Sequence, residues 1–184
     1  WIGPTDWPVF GVTQAGVYRT GVARLAGHVH VRADSARVVQ VNRHNEPFTA
    51  YPGVRHGVKL FTARADSLPV DTAAVRVLLR RVSGDEGAGS AVVIRSDVAR
   101  TPTLPRADTL VLMVYGDARA WAGRRAAGDT VAWQARVVSA SGEALTEVVG
   151  GFPLLLDGGR DVLGTQVVRE EFGQRRHPRT AIGW

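Results

Sequence analysis

The chain has 184 residues, a length typical of one domain and sufficient to bury an apolar core. Hydrophobic residues make up 45% and charged residues 22%, which argues against a disordered chain, and no apolar run approaches the roughly 20 residues of a transmembrane helix. The net charge of +6 would suit a polyanion, but the arginines are scattered and not interleaved with aromatic residues, so we expect no nucleic-acid partner.

Cysteine is absent, which excludes a disulfide framework, a thiolate metal site and a cysteine nucleophile. Met113 is the only methionine, so the chain does not begin at its own initiator. We therefore expect a processed chain or a fragment, and we read nothing from the missing signal-peptide pattern.

Periodicity along the chain predicts mostly β-strands. In HVHVR, Val29 and Val31 fall on one face and the polar residues on the other, which is typical of a half-buried strand. VAWQARVV, beginning at Val131, alternates in the same way, and the residues from Val75 to Val82 do so less regularly. TLVLMVY, which ends at Tyr115, is apolar throughout and predicts a central strand covered on both faces.

Helices are few by the same criteria. DARAWAGRRAAG predicts a helix with Asp117 as its N-cap and Gly128 closing its C-terminus, and TQVVREEF, from Thr165 to Phe172, predicts a second helix. SGDEGAGS and TPTLPRAD are typical of turns. We therefore expect a single α+β domain over residues 1–184, strand-rich, with a mixed or largely antiparallel sheet and one or two short helices.

Two histidines in HVH, His28 and His30, share one strand face, where a metal ion could bind. A metal site needs a third protein ligand, none is evident in the sequence, and histidine is common on the solvated face of a strand. We therefore expect no metal site here. His44 and His56 lie in polar, glycine-flanked stretches and are expected to be loop residues.

Motifs of the common nucleotide-binding and hydrolase sites are missing. The sequence contains no GxSxG elbow, no Walker-type glycine loop and no GxGxxG opening a helix. Nucleotide-binding and serine-hydrolase functions therefore lose support.

The segment EVVGGFPLLLDGG combines a glycine pair with a carboxylate. Gly150 and Gly151 enter an apolar strand and would let a backbone or ligand approach closely. Asp157 then falls at the end of that strand, just before Gly158 and Gly159. A carboxylate in this position is either a turn-forming residue or a functional acid, and the residues alone favour the turn.

A second cluster, RRHPRT, lies directly before the apolar AIGW. Pro178 fixes its own backbone angle and favours an extended conformation at His177. Arg179 offers a planar fork of donors that suits phosphate or carboxylate, and Thr180 adds a hydroxyl. In isolation the cluster is consistent with either a surface salt-bridge element or an anion site.

Together, GGFPLLLDG and, some twenty residues later, HPRTAIG resemble the signature of the phosphodiester glycosidase family, whose namesake is N-acetylglucosamine-1-phosphodiester alpha-N-acetylglucosaminidase. The resemblance extends less specifically upstream, through VNRHNEP, GVKLFTA, LPRADTLVLMVYG and AAGDTVAW, and so covers most of the chain from about Val38 onward.

The resemblance implies hydrolysis of the glycosidic bond of a sugar-1-phosphodiester. Arg179 would then stabilise the leaving phosphate, assisted by Thr180, because a phosphate leaving group needs charge stabilisation more than full protonation. Asp157 would be the carboxylate that supports an oxocarbenium-like transition state or prepares water. His177 would donate a proton or bind the phosphate, while Gly150 and Gly151 would make room for the substrate.

Two departures from the family pattern bear on completeness. The family has an Asn-Gly-x-Phe-type motif before the region corresponding to Trp1 and an Asp-Gly-Arg-type motif after the region corresponding to Trp184, and neither is present. We therefore expect an internal piece of a longer catalytic domain, incomplete and inactive by itself. A role for a divalent cation is left open.

The same resemblance implies a secreted or cell-envelope protein, bacterial by its composition, that meets a carbohydrate phosphodiester or an envelope polysaccharide. The alternative is a non-catalytic carbohydrate- or polyanion-binding domain on the same fold. Convergence of Arg179 and Asp157 in one pocket would favour the enzyme, and wide separation would favour the binding domain.

Overall fold

Alternating apolar and polar residues build strands along most of the described chain. The computed structural model describes residues 7–41, 56–65, 68, 70–85, 87–100, 103, 105–150, 156–157 and 159–161. In chain order the elements are β1 Trp7–Thr13, β2 Tyr18–Val31, β3 Asp34–Val41, β4 Gly57–Phe61, β5 Asp71–Gly84, β6 Ala88–Ala99, β7 Thr109–Tyr115, α1 Arg119–Gly123, β8 Thr130–Ser139, β9 Ala144–Gly150, β10 Leu156–Asp157 and β11 Arg160–Asp161.

Strands β1 to β9 form one closed barrel in the order β1-β2-β3-β4-β7-β5-β6-β8-β9, and β10 and β11 form a separate two-stranded hairpin. The only parallel neighbours in this barrel are β3 and β4. The expected α+β class is therefore wrong: the described chain is mainly β, with one α-helix of five residues. Local periodicity identified strands, but it carries no information on the distant pairing that closes a sheet into a barrel.

Strand β2 is long enough to pair with three strands: β1, β8 and, from His28 to Val31, β3. Its first half pairs with β1, from Tyr18 to Ala23, and its second half pairs with β8, from Ala23 to His30. The β2–β8 pairing closes strands β2 to β8 on themselves, while β1 and β9 continue the sheet beside them. A smaller apolar cluster of Val9, Ala23 and Leu145 fills the space under β1 and β9.

The interior of the barrel is packed with apolar side chains from β2 to β8. Trp121 and Ala122 of α1 join them, so the short helix contributes to the same core. The fully buried members are Val29, Val38, Val58, Leu60, Val77, Leu79, Ala91, Leu110, Leu112, Val114, Ala122 and Val131. Burying this surface drives formation of the barrel, because apolar burial stabilises by about 25 cal/mol per Å².

Strand β7 is covered on both faces, as its continuous apolar run predicted. Leu110, Leu112 and Val114 point into the barrel, whereas Val111 and Met113 belong to a second apolar cluster on the opposite face. The other buried members of this second cluster are Phe61, Ala65, Leu68, Ala74 and Tyr115.

The strand predictions for HVHVR and VAWQARVV are also confirmed. Val29 is fully buried while His28 and His30 are exposed, and Val131 and Trp133 are buried on the inner face of β8. The segment from Val75 to Val82 lies within β5.

The predicted helix in DARAWAGRRAAG is present but much shorter than expected. A 3-10 helix, Gly116–Ala118, leads into α1, whose N-cap is Ala118, so the expected cap at Asp117 is wrong. Gly128 does not end the helix; it lies in the turn before β8, where its N–H donates to the carbonyl of Val93 at 2.9 Å. The second predicted helix, from Thr165 to Phe172, lies outside the described residues.

An exposed ion pair joins β2 to the turn between β8 and β9. Arg19 donates two hydrogen bonds to the Glu143 carboxylate, at 2.5 and 2.7 Å, and the Ser141 hydroxyl donates a third at 2.9 Å. The Arg19 and Ser141 hydrogen bonds lower the pKa of Glu143 from 4.5 to about 2.

We predict that Gly89→Ala destabilises the barrel. A Cβ at Gly89 would lie 2.2 Å from the carbonyl oxygen of Ser83 and 2.5 Å from the Trp133 ring, so backbone and core must shift. We expect a loss of about 1–3 kcal/mol in the free energy of unfolding, measured by urea denaturation. Gly123→Ala is the matched control, because a Cβ there meets no atom within 4 Å, and it should be neutral or slightly stabilising. Equal stability of the two variants would contradict the packing at Gly89.

We predict that Glu143→Gln reduces the acid sensitivity of the fold. The folded-state pKa of Glu143 is depressed, so its contribution is fully present above its ordinary pKa of 4.5 and is lost as the pH falls toward about 2. Thermal melting at a series of pH values should therefore show a steeper loss of stability over this window in the wild type than in the variant. Parallel curves would show that the Arg19 contact does not stabilise the folded state.

Candidate functional site

The structure describes two of the six residues expected to form the site, Gly150 and Asp157. Gly150 is the last residue of β9 and pairs with Val9 of β1. Asp157 is the last residue of β10, where it pairs with Arg160 of β11. The four others, Gly151, His177, Arg179 and Thr180, lie outside the described residues, so their expected roles stay predictions.

Asp157 begins a tight turn, in agreement with its expected place at a strand end. The cross-strand pair Asp157 and Arg160 encloses only Gly158 and Gly159. Gly159 has a φ of 76°, a conformation that glycine adopts without strain. The turn thus explains why position 159 is a glycine, while a chemical role for Asp157 stays a prediction.

The histidines of HVH lie on the outer, exposed side of β2. His28 is opposite Arg37 and His30 is opposite Ser35 on β3. Among the described residues, no three histidine, aspartate or glutamate side chains are grouped closely enough to hold a metal ion. His56 is exposed at the start of β4, where its Nδ1 accepts a hydrogen bond from the backbone N–H of Asp117 at 3.1 Å.

A row of side chains that includes two buried cations crosses four neighbouring strands on the outer face of the barrel, and local sequence patterns did not reveal it. Lys59 of β4 is opposite Met113 of β7, Met113 is opposite Arg76 of β5, and Arg76 is opposite Asp97 of β6. Directly paired residues share a face of the sheet. Lys59 is 4% exposed and Arg76 is 2% exposed, so two cations are buried beside an apolar cluster.

Specific contacts stabilise these two buried cations. Arg76 donates two hydrogen bonds to the carboxylate of Asp97, both at 2.9 Å, and a third to the hydroxyl of Thr103. The ammonium of Lys59 lies 5.4 Å from the centre of the Tyr115 ring, a cation–π contact. The Arg76–Asp97 pair is thus bidentate, a geometry that indicates a structural role in holding β5 and β6 together.

Tyr115 extends this polar row. Its hydroxyl donates to the Asp71 carboxylate at 2.8 Å. Burial, and then this hydrogen bond, raise the pKa of Tyr115 well above its ordinary value, so the phenol is neutral at physiological pH. Tyr115 is therefore a fixed donor to Asp71 and not a base.

Two signals in the sequence point to this row in hindsight. Lys59 is the only lysine of the chain and interrupts the apolar segment GVKLF. Arg76 likewise interrupts VRVLL. A charged residue inside an apolar strand is either exposed on the solvated face or buried with a partner. Which of the two applies depends on whether other parts of the chain pack over the outer face of the barrel.

We predict that Asp97→Asn is strongly destabilising. The substitution removes the negative charge that compensates buried Arg76, and removing one partner of a buried ion pair is destabilising because the remaining charge stays out of water. We expect a loss of at least about 2 kcal/mol in the free energy of unfolding by urea denaturation. Asp108→Asn, at an exposed residue in the turn before β7, is the matched control and should be near neutral. A neutral Asp97→Asn variant would show that Asp97 does not stabilise the folded state.

No helix in the described part is long and apolar enough to cross a membrane.

Comparisons with known proteins show the fold. A hypothetical protein from Synechocystis has a TM-score of 0.62 at 18% sequence identity, over 95% of this chain and 31% of that chain. A "Putative exported protein" from Burkholderia pseudomallei K96243 has a TM-score of 0.53 at 16% identity, over 84% of this chain and 35% of that chain. The chain thus spans about a third of the length of each of these proteins. No protein-family model and no curated protein matches the chain. At such low sequence identities, the structural similarity establishes a shared fold and says nothing about a shared chemical function.

Proposed function

We propose that this chain is the barrel part of an enzyme that hydrolyses the glycosidic bond of a sugar-1-phosphodiester, such as an N-acetylglucosamine-1-phosphodiester. The observation that carries the proposal is the presence, in one chain, of GGFPLLLDGG and RRHPRTAIGW, the two segments that resemble the phosphodiester glycosidase signature. The hairpin of β10 and β11 supports it, because Asp157 then lies at a strand end and beside a glycine turn, where a substrate can approach.

The proposed chemistry centres on the leaving phosphate. Arg179 stabilises the charge that develops on the phosphate as the C1–O bond breaks, and its planar fork matches two phosphate oxygens. Pro178 fixes its own backbone angle and favours an extended conformation at His177, just before this contact, and Thr180 adds a hydroxyl donor. His177 donates a proton or a hydrogen bond to the same phosphate.

The sugar side requires a carboxylate. Asp157 stabilises the positive charge that develops at C1, or prepares the attacking water. Gly150 and Gly151 have no side chains to obstruct a sugar ring next to the end of β9. A divalent cation remains open as a further participant, since carboxylate and phosphate oxygens are both hard ligands.

The expected location of the enzyme is outside the cytoplasm, in the secreted fraction or the cell envelope. One structural neighbour is described as exported, which is consistent with this location. The substrate is then the phosphodiester of a carbohydrate, or of an envelope polysaccharide, that is exposed to the exported protein.

We predict that the full-length gene product, incubated with an N-acetylglucosamine-1-phosphodiester in oxygen-18 water, releases a sugar that carries the label. Label in the sugar, read by mass spectrometry, means cleavage of the C1–O bond. Arg179→Lys should lower kcat/KM by about 100-fold, because a point charge cannot reproduce a two-pronged contact to the phosphate. Arg100→Lys, at an exposed arginine just after β6, is the matched control and should retain activity.

Three results would contradict the proposal. Label in the phosphate would indicate phosphodiesterase chemistry, and unchanged turnover in Arg179→Lys would remove Arg179 from the mechanism. Binding without hydrolysis across several sugar-1-phosphodiesters would favour the alternative, a non-catalytic carbohydrate- or polyanion-binding domain on the same fold.

A further inference from the structure

The turn between β2 and β3 contains the one non-glycine residue with a positive φ among those described. Val31 pairs with Asp34, so Arg32 and Ala33 alone make the turn, and Arg32 has a φ of 54°. Glycine is preferred at such a position because a Cβ makes this conformation strained. Strain retained at a turn suggests that the side chain has a use that glycine could not supply.

Two more arginines face this turn from the connection between α1 and β8. Arg124 donates to both carboxylate oxygens of Asp34, with distances from 3.0 to 3.2 Å, and Arg125 donates to Asp34 Oδ2 at 2.6 Å. Asp34 thus accepts hydrogen bonds from two guanidinium groups and holds them side by side.

Arg125 is held rigidly in this arrangement. Its side chain is only 7% exposed, its Nε donates to the Trp121 carbonyl at 3.0 Å, and its guanidinium lies 5.0 Å from the centre of the Trp121 ring. Trp121 in turn donates from Nε1 to the Asp34 carbonyl at 3.2 Å. The guanidinium is therefore preorganised, and a ligand that binds it causes little loss of side-chain freedom.

These residues line an open cavity of about 720 Å³. Its charged members are Arg32, Asp34, Arg124, Arg125 and Asp129, so the arginines exceed the carboxylates by one. In the described part of the chain, Arg32 has no ion-pair partner, and the Nη1 atoms of Arg124 and Arg125 make no hydrogen bond. The carboxylate of Asp129 accepts from the backbone N–H of Ala126 at 2.9 Å. The cavity thus combines surplus cationic donors with carboxylates that already have partners.

We propose that this cavity is a binding site for a phosphate group, held by Arg32, Arg124 and Arg125. Arginine forks match the geometry of phosphate oxygens and bind them with charge-assisted hydrogen bonds. A purely structural ion pair with Asp34 accounts for Arg124 and Arg125, but it leaves the strained and unpaired Arg32 unexplained. The site shares no residue with the proposed glycosidase site and does not depend on that proposal.

The test titrates the 184-residue chain with inorganic phosphate while NMR follows the backbone amides, with sodium chloride keeping the ionic strength constant. We expect saturable shifts at residues 32–34 and 124–130. Arg32→Gly should weaken binding by about tenfold, the effect of losing one or two charge-assisted hydrogen bonds. The same variant should raise Tm, because glycine relieves the strain in the turn, so lost binding cannot be attributed to unfolding.

Arg106→Gln is the matched control, because Arg106 is an exposed arginine in the turn before β7 and lies outside the cavity. It should bind phosphate as the wild type does. Equal losses in both variants, no loss in Arg32→Gly, or shifts spread over all the exposed arginines would overturn the proposal.

Two further ligands identify the source of the phosphate group. Dimethyl phosphate that binds as tightly as inorganic phosphate would support a phosphodiester within a larger molecule. Saturation by inorganic phosphate alone would support a terminal or free phosphate. Acetate that binds more tightly than either would overturn the assignment to phosphate.

Discussion

Direct pairing of β2 with β8 is the constraint on which the rest of the structure depends. It brings together strands from distant parts of the sequence and closes the sheet around the apolar core. Gly27 lies at this seam, where a Cβ would meet the Gln134 carbonyl oxygen at 2.8 Å and the Val38 Cβ at 3.0 Å. The absence of a side chain at Gly27 therefore allows β2, β3 and β8 to pack closely at this point of the barrel.

The sequence predicted individual strands better than it predicted the architecture. Alternation identified HVHVR and VAWQARVV, and the unbroken apolar run of TLVLMVY correctly indicated a strand covered on both faces. Closure was missed because pairing partners are chosen by long-range packing, which has no local period. The helix was overestimated because alanine and arginine favour helices along residues 117–128, whereas the chain after Gly123 forms turns before β8, in which Gly128 donates to the Val93 carbonyl.

The two candidate sites differ in what a sequence can reveal. A phosphate contact at Arg179 follows from residue types and a family resemblance and stays a prediction, whereas the structure places Asp157 at the end of the short strand β10. The burial of Lys59 and Arg76, and the pairing of Arg76 with half-buried Asp97, depend on strand register and on the covering of the outer face. Likewise, neither the positive φ of Arg32 nor its proximity to Arg124 follows from composition or spacing, because both depend on how the barrel is closed.

The same closure has a consequence for how the protein is made. Arg19 of β2 and Glu143, in the turn between β8 and β9, form an ion pair although they are 124 residues apart in the chain. Folds that depend on such distant contacts fold slowly, on the order of milliseconds to seconds, because the intervening chain must lose much of its freedom before the contacts form. During translation, β2 leaves the ribosome long before β8 is synthesised. The edge of β2 that will pair with β8 is therefore exposed to other chains throughout that interval. Chaperones that shield strand edges would therefore have most effect on this protein before β8 has been made.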